Sequence, residues 1–157
     1  MSSRILFVCL GNICRSPTAE AVFRQRAAAA GLCHIHIDSA GTSGWHIGKR
    51  PDPRTVRAAE QRGYDMSALR GRQVSAADFA GFDLILAMDR QNLADLQSMA
   101  PKNSVATLGL LLDFAEGVAT RDVPDPYYGG DDGFEEVLDL IERASEGLIR
   151  HLRGKHS

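Results

Sequence analysis

The sequence has no long apolar run. Nothing in it approaches the ~20 consecutive apolar residues of a membrane span. The early run from Ile5 to Leu10 is too short for a signal-peptide core and stops at Gly11 and Asn12. Cysteine is scarce: Cys9, Cys14 and Cys33, an odd number, do not make the framework of a small secreted protein, and a reducing cytoplasm is the expected location. No window collects five or six charges of one sign and the formal net charge is only -2, so neither a nucleic-acid stripe nor an acidic tail is expected. Any affinity for phosphate has to be local. The nucleotide cradles G-x-x-x-x-G-K-[ST] and strand-following G-x-G-x-x-G are both missing. His34, His36, His46, His151 and His156 are scattered and no cysteine pair stands at metal spacing, so no metal and no cofactor are expected.

What is present fits one globular domain over residues 1–157, with 44% apolar and 24% charged composition. Ile5-Leu6-Phe7-Val8 is a continuous β-prone run, as expected of a strand covered on both faces in a parallel sheet. The segment from Pro17 to Ala30 reads as a helix with Ser16 as its cap, Pro17 in the first turn and Gly31 as its stop. Strand and helix then alternate. His34 to Ser39 and Phe82 to Ala87 read as strands, with a weaker strand at Val105 to Thr107. Asp52 to Arg62 reads as a helix, as does Arg90 to Met99 with Asp89 as its cap. Thr120 to Gly133 is a long polar loop, a type of segment that often carries function. Asp132 with Glu135 forms a capping box, and Phe134, Val137, Leu138, Ile141, Leu148, Ile149 and Leu152 recur at helical spacing. The expected architecture is an α/β three-layer sandwich around a small parallel sheet of about four strands, with flavodoxin-like doubly wound topology.

Ligands in doubly wound folds sit at the carboxyl ends of strands, and the loop Cys9-Leu10-Gly11-Asn12-Ile13-Cys14-Arg15-Ser16 leaves the first strand there and enters a helix. A loop wrapped with its N–H groups inward and closed by a helix N-terminus is an anion cradle. Gly11 and Asn12 tolerate the left-handed backbone such a wrap needs. At the base of the cradle, Cys9 would see those N–H groups, the helix dipole and Arg15, all of which favour thiolate over thiol. Arg15 can donate two hydrogen bonds to equatorial phosphate oxygens in a planar geometry that lysine lacks. Ser16 can donate its hydroxyl to the sulfur. A free cysteine is more often a small core residue; the position of this Cys-x5-Arg-Ser spacing between a strand and a proline-started helix is what selects the reactive reading.

With CLGNICRSPTAE near the N-terminus, SAGTSGWHIG after the second strand, RQVS at 72–75, ILAMDRQNL at 85–93 and DVPDPYYGG at 122–130, the chain resembles the low-molecular-weight protein tyrosine phosphatases over nearly its whole length. The resemblance implies a phosphotyrosine phosphatase with Cys9 as nucleophile, Arg15 as transition-state clamp and Asp125 as general acid and later base. It implies Trp45, Tyr127 and Tyr128 as walls of an aromatic slot, Ser39 in a network that holds Asn12, and Asp89 as an acid near Arg15, although Asp89 reads equally well as a helix cap. Trp45 has an alternative as a loop anchor packed on the sheet. Where family members carry a histidine before the RQVS segment this chain has Leu69, which leaves the wiring around Asn12 open. The partners implied are tyrosine-phosphorylated proteins, with phosphate-like oxyanions as inhibitors, and a monomer is expected.

Three other readings stay open on sequence. Arsenate reductases share the fold and loop but need further cysteines, and none follows Cys33. Phosphoarginine phosphatases of the family have threonine where this chain has Ile13. A phosphoprotein-binding module would keep the cradle without turnover. Cys14 shares the loop with Cys9, and the resemblance favours it as the thiol that traps oxidised Cys9 in a disulfide.

Overall fold

In the computed structural model, which describes residues 3–32, 34–126 and 132–156, the sheet is four-stranded with order β2-β1-β3-β4. The strands are β1 (Arg4–Cys9), β2 (His36–Gly41), β3 (Leu84–Ala87) and β4 (Thr107–Leu110). Every pairing is parallel. Residues 5–8 of β1 are fully buried because the strand lies between two neighbours and alternate side chains enter opposite layers. Ile5, Phe7 and Cys9 join the core under α1 (Arg15–Ala29), α2 (Pro53–Gln61) and α5 (Asp132–His156). Leu6 and Val8 pack with Phe79, Phe82 and Leu96 on the side of α3 (Asp78–Gly81) and α4 (Arg90–Met99). This is the expected three-layer, doubly wound arrangement.

Several boundaries differ from the sequence reading. α1 begins at Arg15 with Cys14 in the cap position and no side-chain cap bond, so Ser16 is not the cap; its side chain is turned inward and fully buried. β4 runs from Thr107 to Leu110 and not from Val105, whose side chain is exposed; it is an edge strand, only half buried and diluted by Gly109, which is why its apolar signal is weak. The short helix α3 and a single 3-10 turn at Leu111–Phe114 have no clear sequence signature. Asp52 and Asp89 do cap α2 and α4, accepting from the backbone N–H groups of Arg54 and Asn92. In α5 Asp132 is already the first helical residue, one position inside the expected cap. The seven apolar positions predicted for α5 are all buried, and Gly147 lets the helix approach the 3-10 turn, since a Cβ there would lie 1.7 Å from the Phe114 carbonyl oxygen.

Candidate active site

The last residue of β1 is Cys9, and the chain then wraps through residues 10–14 before α1 starts at Arg15. The wrap is held from outside through its carbonyls. Thr42 N–H donates to Cys9 O (2.9 Å), Ser43 N–H to Leu10 O (3.0 Å) and Asp52 N–H to Ile13 O (2.8 Å). Inside the turn, Asn12 N–H donates to Cys9 Sγ at 3.2 Å. Asn12 has φ +57°, the one positive φ outside glycine among the described residues, and the carboxamide is what holds it there. Gly41, at the end of β2, makes room for the wrap: a Cβ would lie 2.7 Å from Leu10 O and 3.2 Å from Asn12 N.

The hydrogen bonds behind the loop have a fixed direction. Asn12 Oδ1 accepts from Arg72 N–H (2.9 Å), which orients the amide so that Nδ2 donates to Ser39 Oγ (3.0 Å) and Ser16 Oγ (2.8 Å). The Ser39 hydroxyl in turn donates to Glu20 Oε1 (2.7 Å), whose residue is 4% exposed. Ser16, having accepted from Asn12, keeps its hydroxyl proton for Cys9 Sγ at 3.0 Å, closer than its other acceptor, Ala40 O, at 3.4 Å. Two donors therefore converge on the sulfur. Leu69 takes no part in this wiring and packs on the main core; the backbone of Arg72 satisfies the Asn12 carbonyl instead. Ser39 is in the network as expected, whereas Glu20 and Arg72 join it without having been singled out in the sequence.

Arg15 is 3% exposed, and its Nη1 donates to Asp89 Oδ2 (2.6 Å) and to Val123 O (3.0 Å). Burial alone would weaken its charge, but Cys9, Asp89 and Asp125 outweigh that and raise its pKa above the ordinary arginine value. Asp89 fills both of its possible roles: Oδ1 caps α4 by accepting from Asn92 N–H (2.7 Å) while Oδ2 holds Arg15. Val123 N–H donates to Met88 O (2.8 Å), so the chain just before Asp125 is fastened both to the end of β3 and to Arg15. Asp125 follows Pro124, with one carboxylate oxygen 3.7 Å from Arg15 Nη2 and a partly exposed side chain.

Cys9, Leu10, Gly11, Ile13, Cys14 and Arg15 line one cleft together with Trp45, His46 and Asp125. Trp45 is 68% exposed, so it is a cleft wall and not a loop anchor packed on the sheet. Tyr127 and Tyr128 lie outside the described residues, as does Cys33. His46 belongs to the wall but was not singled out from sequence; the signal was its place beside Trp45 and the glycine it faces, because a Cβ on Gly11 would sit 3.1 Å from its ring. Cys14 is 5% exposed and its thiol is pushed up to about 12 by burial, with the Thr55 hydroxyl opposing and nearby acidic groups adding to the rise. Among the described residues no group of three or more His, Cys, Asp or Glu side chains is placed to hold a metal ion, and no helix is long and apolar enough to cross a membrane.

A nucleophile, a buried cation and a carboxylic acid around one anion-sized cleft can transfer a phosphoryl group. The comparisons with known proteins agree. The sequence profile of the low molecular weight phosphotyrosine protein phosphatases matches residues 4–157. A low molecular weight protein-tyrosine-phosphatase of Streptomyces coelicolor is 48% identical over 157 residues, covering 98% of this chain and 95% of the relative. A solved tyrosine phosphatase structure from Entamoeba histolytica, with Hepes in its active site, superposes with a TM-score of 0.94 at 40% identity, covering 99% of each chain. A Drosophila arginine phosphatase superposes at 0.89 with 34% identity, covering 94% of this chain and 96% of its own. Profile, sequence and fold agree over nearly the full length, and the chain belongs to the low molecular weight phosphotyrosine protein phosphatase family.

Proposed function

We propose that this protein hydrolyses phosphotyrosine in proteins, and aryl phosphates generally, through a cysteinyl-phosphate intermediate. The observation that carries the reading is the setting of Cys9 Sγ, which faces Asn12 N–H and Ser16 O–H at the mouth of a helix and shares its cleft with buried Arg15 and with Asp125. In the first step the sulfur attacks phosphorus, the phosphorus–oxygen bond to the phenol breaks, and Asp125 delivers its proton to the departing oxygen. In the second, water attacks phosphorus, gives a proton to Asp125 and displaces the Cys9 sulfur, whose negative charge the Ser16 hydroxyl and Asn12 N–H receive. Arg15 and the loop N–H groups meet the charge on the equatorial oxygens, which is the main work phosphoryl transfer asks of a protein. Phosphate-like oxyanions bind the same cradle and inhibit. The test is hydrolysis of p-nitrophenyl phosphate by the purified protein, abolished in Cys9→Ser. Activity retained in that variant overturns the reading.

The likeness to an arginine phosphatase raises phosphoarginine as a second substrate. Ile13 lines the cleft with an apolar side chain, which supports the phenyl substrate. Ile13→Thr is expected to shift the ratio of kcat/KM values toward phosphoarginine, and an unmoved ratio removes Ile13 as a selector.

Cys14 and Cys9 line the same cleft, which supports Cys14 as the resolving thiol. Peroxide converts Cys9 to its sulfenic acid, and attack by the Cys14 sulfur forms the disulfide and releases water. Dithiothreitol then restores activity in the protein but recovers much less in Cys14→Ser; equal recovery in both excludes the role.

A further inference from the structure

Beside the catalytic cleft the surface carries a second groove with a different chemistry. Pro53 and Val56, over buried Pro51 and Met66, give it an apolar lining, and Arg50, Arg57 and Arg70 surround it with exposed guanidinium groups. Glu60 is the one carboxylate among its lining residues. Cleft and groove share a strap of chain: His46 lines the first, Arg50 and Pro51 line the second. The strap is fastened to the phosphate loop by Asp52 N–H on Ile13 O and to residue 71 by Gly48 N–H on Gly71 O and Gly71 N–H on Lys49 O, each at 2.8 Å.

The arginines of this region divide sharply. Arg54, Arg62 and Arg72 are each ion-paired to carboxylates at 2.7–3.1 Å. Lys49, Arg50, Arg57 and Arg70, which interleave with them in sequence, have no carboxylate within ion-pair distance among the described residues. Among the described residues Arg70 donates only to the backbone carbonyls of Ser67 (3.1 Å) and Leu69 (2.6 Å), and neither carries a charge to offset its own. A chain whose formal net charge is -2 thus concentrates unpaired positive charge next to its phosphate site. Such a patch raises the local concentration of acidic ligands and steers them.

We propose that this groove reads acidic residues flanking the phosphotyrosine, so that the preferred substrates are phosphotyrosine segments rich in Asp and Glu; the proposal rests on the phosphatase reading above. An extended peptide advances roughly 3.3–3.6 Å per residue. With the phosphotyrosine in the cleft, residues a few positions away run along the strap into the groove, where apolar side chains meet Pro53 and Val56 and carboxylates meet the arginines.

The experiment compares kcat/KM for a phosphotyrosine peptide with Asp and Glu flanks and for its Asn and Gln isostere, at low and high salt. The unsubstituted protein is expected to favour the acidic peptide by about five- to twentyfold, as two or three exposed pairs allow, with the ratio falling at high salt. Arg50→Glu combined with Arg57→Glu brings the ratio to one or below, and the corresponding Gln pair gives an intermediate value. A ratio near one in the unsubstituted protein, or one unchanged in the double variant, overturns the proposal. p-Nitrophenyl phosphate does not extend beyond the cleft, so its hydrolysis reports the phosphatase reading separately. If that hydrolysis fails, the affinities of the two peptides for the Cys9→Ser protein decide the groove by the same ratio.

Discussion

At the scale of single residues, the site divides labour between groups of fixed and adjustable position. Cys9 and Arg15 are buried and held by several bonds, whereas Asp125 is partly exposed and positioned through its backbone neighbours. Pro124 and Pro126 fix φ on both sides of it, and Val123 anchors the approach, so the carboxyl group reaches the cleft with little freedom to lose. A proton donor matters most where the departing oxygen is basic. Asp125→Asn is therefore expected to slow alkyl-substituted phenyl phosphates by about 10²–10⁴-fold, the usual worth of a general acid. Substrates with strongly acidic phenols should be slowed far less in their first step. Pre-steady-state rates across a leaving-group series check this, and a uniform loss assigns Asp125 to binding instead.

At the scale of elements, the ends of the strands and helices do the positioning. The carboxyl end of β1 supplies Cys9, the start of α1 supplies Arg15, and the start of α4 supplies Asp89. Asp89 uses one oxygen for its own helix and the other for Arg15, a pair of tasks that asparagine, with a single acceptor oxygen, cannot perform together. Asp89→Asn is expected to lower Tm, with loss of either the cap, about 1 kcal/mol, or the partner of a buried cation. Saturating inorganic phosphate brings a new anion to Arg15 and should raise Tm more in the variant than in the unsubstituted protein. An equal rise in both reduces Asp89 to a helix cap.

At the scale of the whole molecule, the layers and most of the site were legible in the sequence, because both rest on short-range patterns. The apolar run of β1 required cover on two faces, the α5 stripe required one, and the Cys-x5-Arg-Ser spacing is local. What stayed hidden depends on contacts between distant segments. Ser16 carries the chemistry of a cap, but its hydroxyl is taken by Asn12 and Cys9; β4 is an edge strand with little apolar content; Glu20 enters the loop network only because Ser39 lies beside it in space. His46 and Gly41 likewise acquire meaning from what they face across the loop.

The same packing sets an alkaline limit on stability. Cys14 closes the loop at the start of α1, where burial pushes its thiol from 9.0 up to about 12. Tyr64 is also raised, chiefly by burial and by the hydrogen bond it donates to Glu142. A raised pKa means that the folded chain holds a proton the unfolded chain has begun to release. The contribution is fully present below pH 9 and is lost progressively as pH rises toward 12, with unfolding favoured by proton release. A displacement of this size corresponds to about 4 kcal/mol at the upper end for Cys14. Urea unfolding at pH 8 and pH 10.5 tests this, with activity playing no part in the readout. The unsubstituted protein is expected to lose about 2 kcal/mol through Cys14 over that interval. Cys14→Ala, though less stable at pH 8 from the small void it leaves, should lose correspondingly less on going to pH 10.5, the remainder belonging to Tyr64 and other groups. Equal losses in the two proteins would show that the buried thiol does not set the alkaline limb.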